Sequence, residues 1–184
     1  KIQFLPWDKA YQLAHSQPIT GLFTTTRLDE REALFKWVGP INTPRFSLFA
    51  DSARGIRISS LEDARKYRVG TVINDAAEMI ILKRKFPKDR LDRSHDIKTA
   101  LGRLQDDKFE LFAYSEASMK HSLKLYGLDA KRYVNVFPIA GSSVFFAFHK
   151  DTPDSTIKDF QEALNTLKSD GTYKKIKEKY GFYD

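Results

Sequence analysis

"RVGTVINDAAEMIILKRKF", residues 68–86, holds a strand and a helix separated by one short polar joint. Val69 to Ile73 has the apolar, β-branched character of a buried strand. Asn74 and Asp75 interrupt it. Asp75 is suited to cap the helix that follows, with Glu78 reaching back from the third position. Lys83, Arg84 and Lys85 close that helix, where the dipole favours cations. A strand feeding directly into a helix is the repeating unit of an α/β fold with mostly parallel sheets.

Upstream, "KIQFLPW" reads as a short strand, residues 8–15 as a helix and "ITGLFTT" as a second strand. "LDEREALF" is a short helix, "GPINTP" a break and "FSLFADS" another strand. "SSLEDARKY" pairs Ser60 with Asp63, a variant capping box that starts a helix. Downstream, residues 97–104 are helical, "FELFAY" is a strand, and "EASMKHSLKLYG" is a helix closed by Gly127. "YVNVFPI" and "SVFFAFH" are strands. Thr152 caps and Pro153 begins a helix whose apolar stripe is Ile157, Phe160, Leu164 and Leu167; "TYKKIKEKYG" is a last short helix.

The 184 residues are 41% hydrophobic and 30% charged, an ordinary globular balance. No apolar run approaches the roughly 20 residues of a membrane span. There is no cysteine, which excludes disulfides, thiolate metal sites and cysteine nucleophiles. The net charge of +7 invites a nucleic-acid reading. The densest basic stretch, residues 83–93, also contains Asp89 and Asp92 and reads as a helix end entering a loop; no nucleic-acid partner is expected. The four histidines show no metal spacing, and no phosphate loop or nucleophile elbow is present. Neither a metal, a cofactor nor catalysis is expected.

Three segments together resemble the bacterial extracellular (periplasmic) solute-binding proteins of the polar amino-acid ABC-transporter type, family 3. "ALNTLKSDGTYKKIKEKYGF" is similar to the family's C-terminal signature, "TRLDEREALFKWVGPI" to its first-lobe motif, and "ISSLEDARKYRVGTV" to the opening of its second lobe. The resemblance implies a two-lobed, periplasmic-binding-protein type II-like fold with two crossing hinge segments, near 41–45 and 140–144. Lobe one would be residues 1–45 plus 141–184, and lobe two 46–140. Family members begin with a further strand-helix unit, after which this chain starts, at Lys1 rather than Met. A lobe without it would expose an open edge, which a fragment, a reduced member or a dimer would each account for.

The resemblance implies that Arg31 forks onto an acidic ligand group, assisted by one or more of Thr24, Thr25 and Thr26. The alternative for Arg31 is a surface pair with Asp29 or Glu32. Trp7 matches an aromatic wall of the pocket, or is a core tryptophan. In lobe two, Asn74 and Asp75 stand where a Gly-Thr-rich turn is usual. Ser115 replaces the aspartate expected for a ligand ammonium, with Tyr114 before it. Glu116, after it, takes the cation or caps the next helix. The implied function is a periplasmic receptor, not an enzyme, that captures an amino acid or small carboxylate for the membrane component of an ABC importer. A sensor domain of the same fold is the alternative, and a dehydratase with Glu116 as acid a further one. The chain ending at "KYGFYD" favours the free receptor.

Overall fold

A computed structural model of the protein describes residues 1–180. Gly181 and Phe182, the end of the C-terminal signature, lie outside the described residues. The chain divides into two compact units: Lys1–Gln12 with Asn42–Ser143, and Leu13–Ile41 with Val144–Asp184. It therefore passes between them at 12/13, 41/42 and 143/144. The last two passages fall inside the segments 41–45 and 140–144. The first does not: residues 1–12 group with the 42–143 stretch, whereas lobe one was expected to hold them.

The first unit is a five-stranded sheet in the order β5-β4-β6-β3-β7, formed by β3 (Arg45–Asp51), β4 (Val69–Val72), β5 (Leu91–Ser94), β6 (Leu111–Ser115) and β7 (Tyr133–Gly141). Only β4 pairs in parallel, with β5 and β6; β3 runs antiparallel to β6 and β7. The sheet is mixed where mostly parallel pairing was expected. Successive side chains point to its two faces, and because both faces are covered β3, β4 and β6 are buried almost throughout. Phe46, Leu48, Ala50, Leu111 and Ala113 enter one apolar layer with Ala77 and Ile81 of α2 (Ala76–Lys83). Phe49 and Phe112 enter the other, with Leu101 and Leu104 of α3 (Ile97–Gln105) and Met119 and Leu123 of α4 (Glu116–Leu125). Gly70 is required in β4, because a Cβ there would meet the Phe109 ring at 2.2 Å.

The second unit is a three-stranded sheet, β1-β8-β2, of β1 (Gly21–Thr26), β2 (Phe35–Asn42) and β8 (Val144–His149). α5 (Asp154–Ser169) and α6 (Thr172–Lys179) complete it. Their polar side chains stitch onto β2. The Gln161 carbonyl accepts from Gly39 N at 2.9 Å, Lys168 donates to Pro40 O at 2.6 Å, and Tyr173 OH donates to Ile41 O. β2 runs on through Gly39-Pro40 to Asn42, where the sequence predicts a break, and its Gly39 lies against the Phe145 ring, 2.4 Å from where a Cβ would be. α1 (Trp7–Ser16) contributes to both units.

At four further points the structure differs from what the sequence predicts. Residues 1–6 form no strand, and Phe4 is 95% exposed. Ser60 and Asp63 make the reciprocal capping-box bonds, Asp63 N to Ser60 Oγ at 3.1 Å and Ser60 N to Asp63 Oδ2 at 3.0 Å, but only one 3-10 turn follows before Tyr67 extends. β5 lies in a stretch read as a loop. Thr152 does not cap α5, whose N-cap is Pro153.

Candidate functional site

In the first unit, the neighbouring strands β4 and β6 send their connections to opposite sides: α2 leads from β4 to β5, and α4 leads from β6 to β7. Such a reversal opens a crevice at the carboxyl ends of the strands, the place where α/β sheets bind ligands. The loops at that point carry Asn74, Asp75, Ser115 and Glu116. Each has a defined local task. Asp75 caps α2, accepting from Ala77 N at 2.9 Å. Ser115 caps α4, accepting from Ser118 N at 3.5 Å. Glu116 is not the cap; its Oε1 accepts from Ser47 Oγ at 2.6 Å and from Asn135 Nδ2 at 2.8 Å. Ser47 and Asn135 are far away in sequence, on β3 and β7, and no sequence signal announced them.

Asn74 takes a left-handed conformation, φ 58°. Glu78 does reach back, but one residue beyond the cap: its Oε1 accepts from Asn74 N at 3.0 Å. Glu78 is 1% exposed and also accepts from Thr71 Oγ1 at 2.6 Å and from Arg93 Nε and Nη2 at 2.9 and 2.7 Å. Burial pushes its carboxyl up, but the bonds from Arg93, Thr71 and Asn74 outweigh this and hold it below the ordinary range. On its other side, the Asn74 carbonyl accepts from the Trp7 indole at 3.1 Å. Trp7 thus belongs to this joint, its ring 5.7 Å from that of Tyr11. Tyr114 is stacked on Phe112 at 5.2 Å. Burial, and then the charge of Asp75, raise its hydroxyl above the usual phenol range.

In the second unit, β1 pairs with β8 through a bulge: between Leu22 and Thr25 two residues oppose one. The bulge interrupts the alternation. Thr24 is exposed, while Thr25 and Thr26 are 0% and 4% exposed. The Thr25 hydroxyl is buried, and among the described residues it has no hydrogen-bond partner. Arg31 stands in the 3-10 turn Asp29–Leu34, 1% exposed, and its Nη1 donates to Thr26 O at 3.1 Å. It is no surface residue. The carboxylate of Glu32 is gripped by Arg27 instead, at 2.7 and 2.5 Å, and the Arg27 guanidinium lies over the rings of Trp37 and Phe145. This Arg27 clamp was missed, although Arg27 and Glu32 stand five apart in the opening of the motif.

The two units thus hold separate sets of expected residues: Trp7, Asn74, Asp75, Tyr114, Ser115 and Glu116 in one, Thr24, Thr25, Thr26 and Arg31 in the other. Among the described residues no group of three or more metal-binding side chains comes together, and no helix is long and apolar enough to cross a membrane.

By sequence, the chain matches no protein-family model and none of the curated proteins. By structure it is similar to an ancestral arginine-binding protein bound to arginine, at TM-score 0.83 and 20% identity, over 98% of this chain and 79% of that one. It is also similar to a histidine-bound substrate-binding protein of an ABC uptake transporter from Streptococcus pneumoniae, at 0.84 and 17%, over 99% and 76%. A histidine kinase sensor domain with similarity to periplasmic binding proteins matches at 0.84 and 17%, over 95% and 75%. The chain has the α/β fold of the periplasmic binding proteins.

Proposed function

We propose that the protein is an extracytoplasmic receptor for a small polar ligand, an amino acid or small carboxylate, that serves an ABC importer from the periplasm. The observation that carries this reading is the burial of Arg31 with its guanidinium held on the Thr26 carbonyl, next in sequence to the buried Thr25 hydroxyl. A guanidinium oriented by the Thr26 carbonyl is suited to fork onto a carboxylate, where charge and direction act together. The solved structures that share the fold and are named for bound amino acids support the ligand class.

Thermal melts against amino acids and small carboxylates test it, because a ligand that binds the native state raises Tm. A shift is expected with at least one compound, lost in Arg31→Ala and not restored in Arg31→Lys. Thr25→Val removes a buried hydroxyl that has no partner among the described residues, so the unliganded Tm is expected to hold or rise while the ligand shift shrinks. An equal shift in Arg31→Ala would overturn the anchor.

A second reading, a sensor domain feeding a signalling protein, is favoured by the histidine kinase neighbour. A gene that continues past Asp184 into a membrane helix and a signalling module would decide for it. The dehydratase reading has less support, since Glu116 Oε1 already accepts two hydrogen bonds rather than standing ready to donate a proton.

A further inference from the structure

The positive charge of this protein belongs to one unit. Residues 42–143 carry nineteen Lys and Arg against thirteen Asp and Glu, whereas 13–41 carry three of each and 144–184 seven of each. Many cations in that stretch are answered by acids: Arg93 by Glu78, Arg68 and Arg103 by Asp92, Arg132 by Asp51, Arg54 by Asp107. Of those without an acid partner, Arg84, Lys85, Lys88 and Arg90 stand together within seven residues, with Asp89 the one acid among them. All four are exposed, and among the described residues none is ion-paired.

They stand on a firm base. Beyond α2 the chain folds back, with Arg84 N to Ile80 O at 3.2 Å, Lys85 N to Leu82 O at 2.9 Å and Phe86 N to Ile81 O at 3.1 Å. Phe86 is 3% exposed and anchors the loop in the core. Lys85 holds the left-handed position of this turn, φ 61°, where glycine is the low-cost residue. The helix dipole accounts for cations in the last turn of α2 but not for Lys88 or Arg90, which lie beyond it.

We propose that residues 84–90 hold the protein against an anionic lipid bilayer, reading phosphate headgroups by charge alone. The patch lacks what other anionic partners use. Its one aromatic, Phe86, is buried, so there is no stacking platform for bases. It also lacks an apolar centre of the kind that anchors protein interfaces. A bilayer surface needs neither, and clusters of about four to eight basic residues suffice for it.

Co-sedimentation of the full chain with vesicles of phosphatidylcholine, with and without phosphatidylglycerol, tests this. Binding is expected only to the anionic vesicles and is expected to fall as salt rises. Replacing Arg84, Lys85, Lys88 and Arg90 together by Gln is expected to weaken it by roughly several hundred-fold at low salt. Lys85→Gly separates charge from folding: it is expected to raise Tm by a few degrees while weakening vesicle binding by roughly five-fold. No wild-type binding to anionic vesicles at low salt, or undiminished binding by the variants, would overturn the proposal. So would displacement from vesicles by single-stranded DNA at far lower phosphate concentration, which would assign the patch to nucleic acid.

Discussion

Glu78 shows how much a single buried side chain organises here. One carboxylate fixes Asn74 in its left-handed turn, satisfies Thr71 inside the sheet and holds Arg93 on β5. Because its folded carboxyl sits below the ordinary value of 4.5, the stability it contributes is complete above that value and is lost as pH falls through the lower folded one. Melting curves should therefore show the wild type losing Tm steeply in acid. Glu78→Gln should begin lower at neutral pH and have a flatter acid limb; an unchanged limb would refute the assignment. Asp75 and Glu78 were legible in the sequence because capping is a local rule. Which threonine is buried was not, because the bulge opposite Phe145–Ala147 shifts the pattern by one and only the pairing of β1 with β8 reveals it.

Among the elements, β4 carries the most. The connections that leave it and its neighbour β6 run to opposite sides of the sheet, and its Gly70 leaves room for the Phe109 ring, itself 1% exposed. Gly70→Ala should destabilise the protein by about 1–3 kcal/mol through overpacking, measurable as a lower denaturant midpoint. A neutral result would mean that Phe109 can move at little cost. The hydrophobic periods of β4, α2 and β6 identified these elements from sequence alone. β2 and β5 escaped notice for different reasons. Gly39-Pro40 carries the usual mark of a turn, and the four residues of β5 bury the polar Asp92 and Ser94, so they give no hydrophobic period.

At the scale of the whole chain, the two units are unequally filled. The first has an apolar layer on each face of its sheet. In the second, among the described residues, only Ala14, Phe35, Val38, Val144, Ala147 and Leu164 are buried apolar side chains, while Phe23, Phe160, Leu167 and Ile176 are exposed. Stability should be divided accordingly. Amide hydrogen exchange is expected to be slowest in β4 and β6 and measurably faster in β1 and β8, and calorimetry to depart from a single two-state transition. Uniform protection in both sheets would contradict this.

The 42–143 stretch leaves β2 and returns to β8 at almost one spot: Arg45 lies opposite Gly141, Ser142 N donates to Pro44 O at 3.2 Å, and the Thr43 and Ser143 hydroxyls are 3.0 Å apart. A stretch whose two ends meet behaves as a cassette. It can be lifted out, exchanged for that of a relative, or cut and rejoined at an exposed loop with little added length. The same closed ends make the junction a natural place to splice in a fluorescent reporter, whose signal would then follow any motion that separates Thr43 from Ser143.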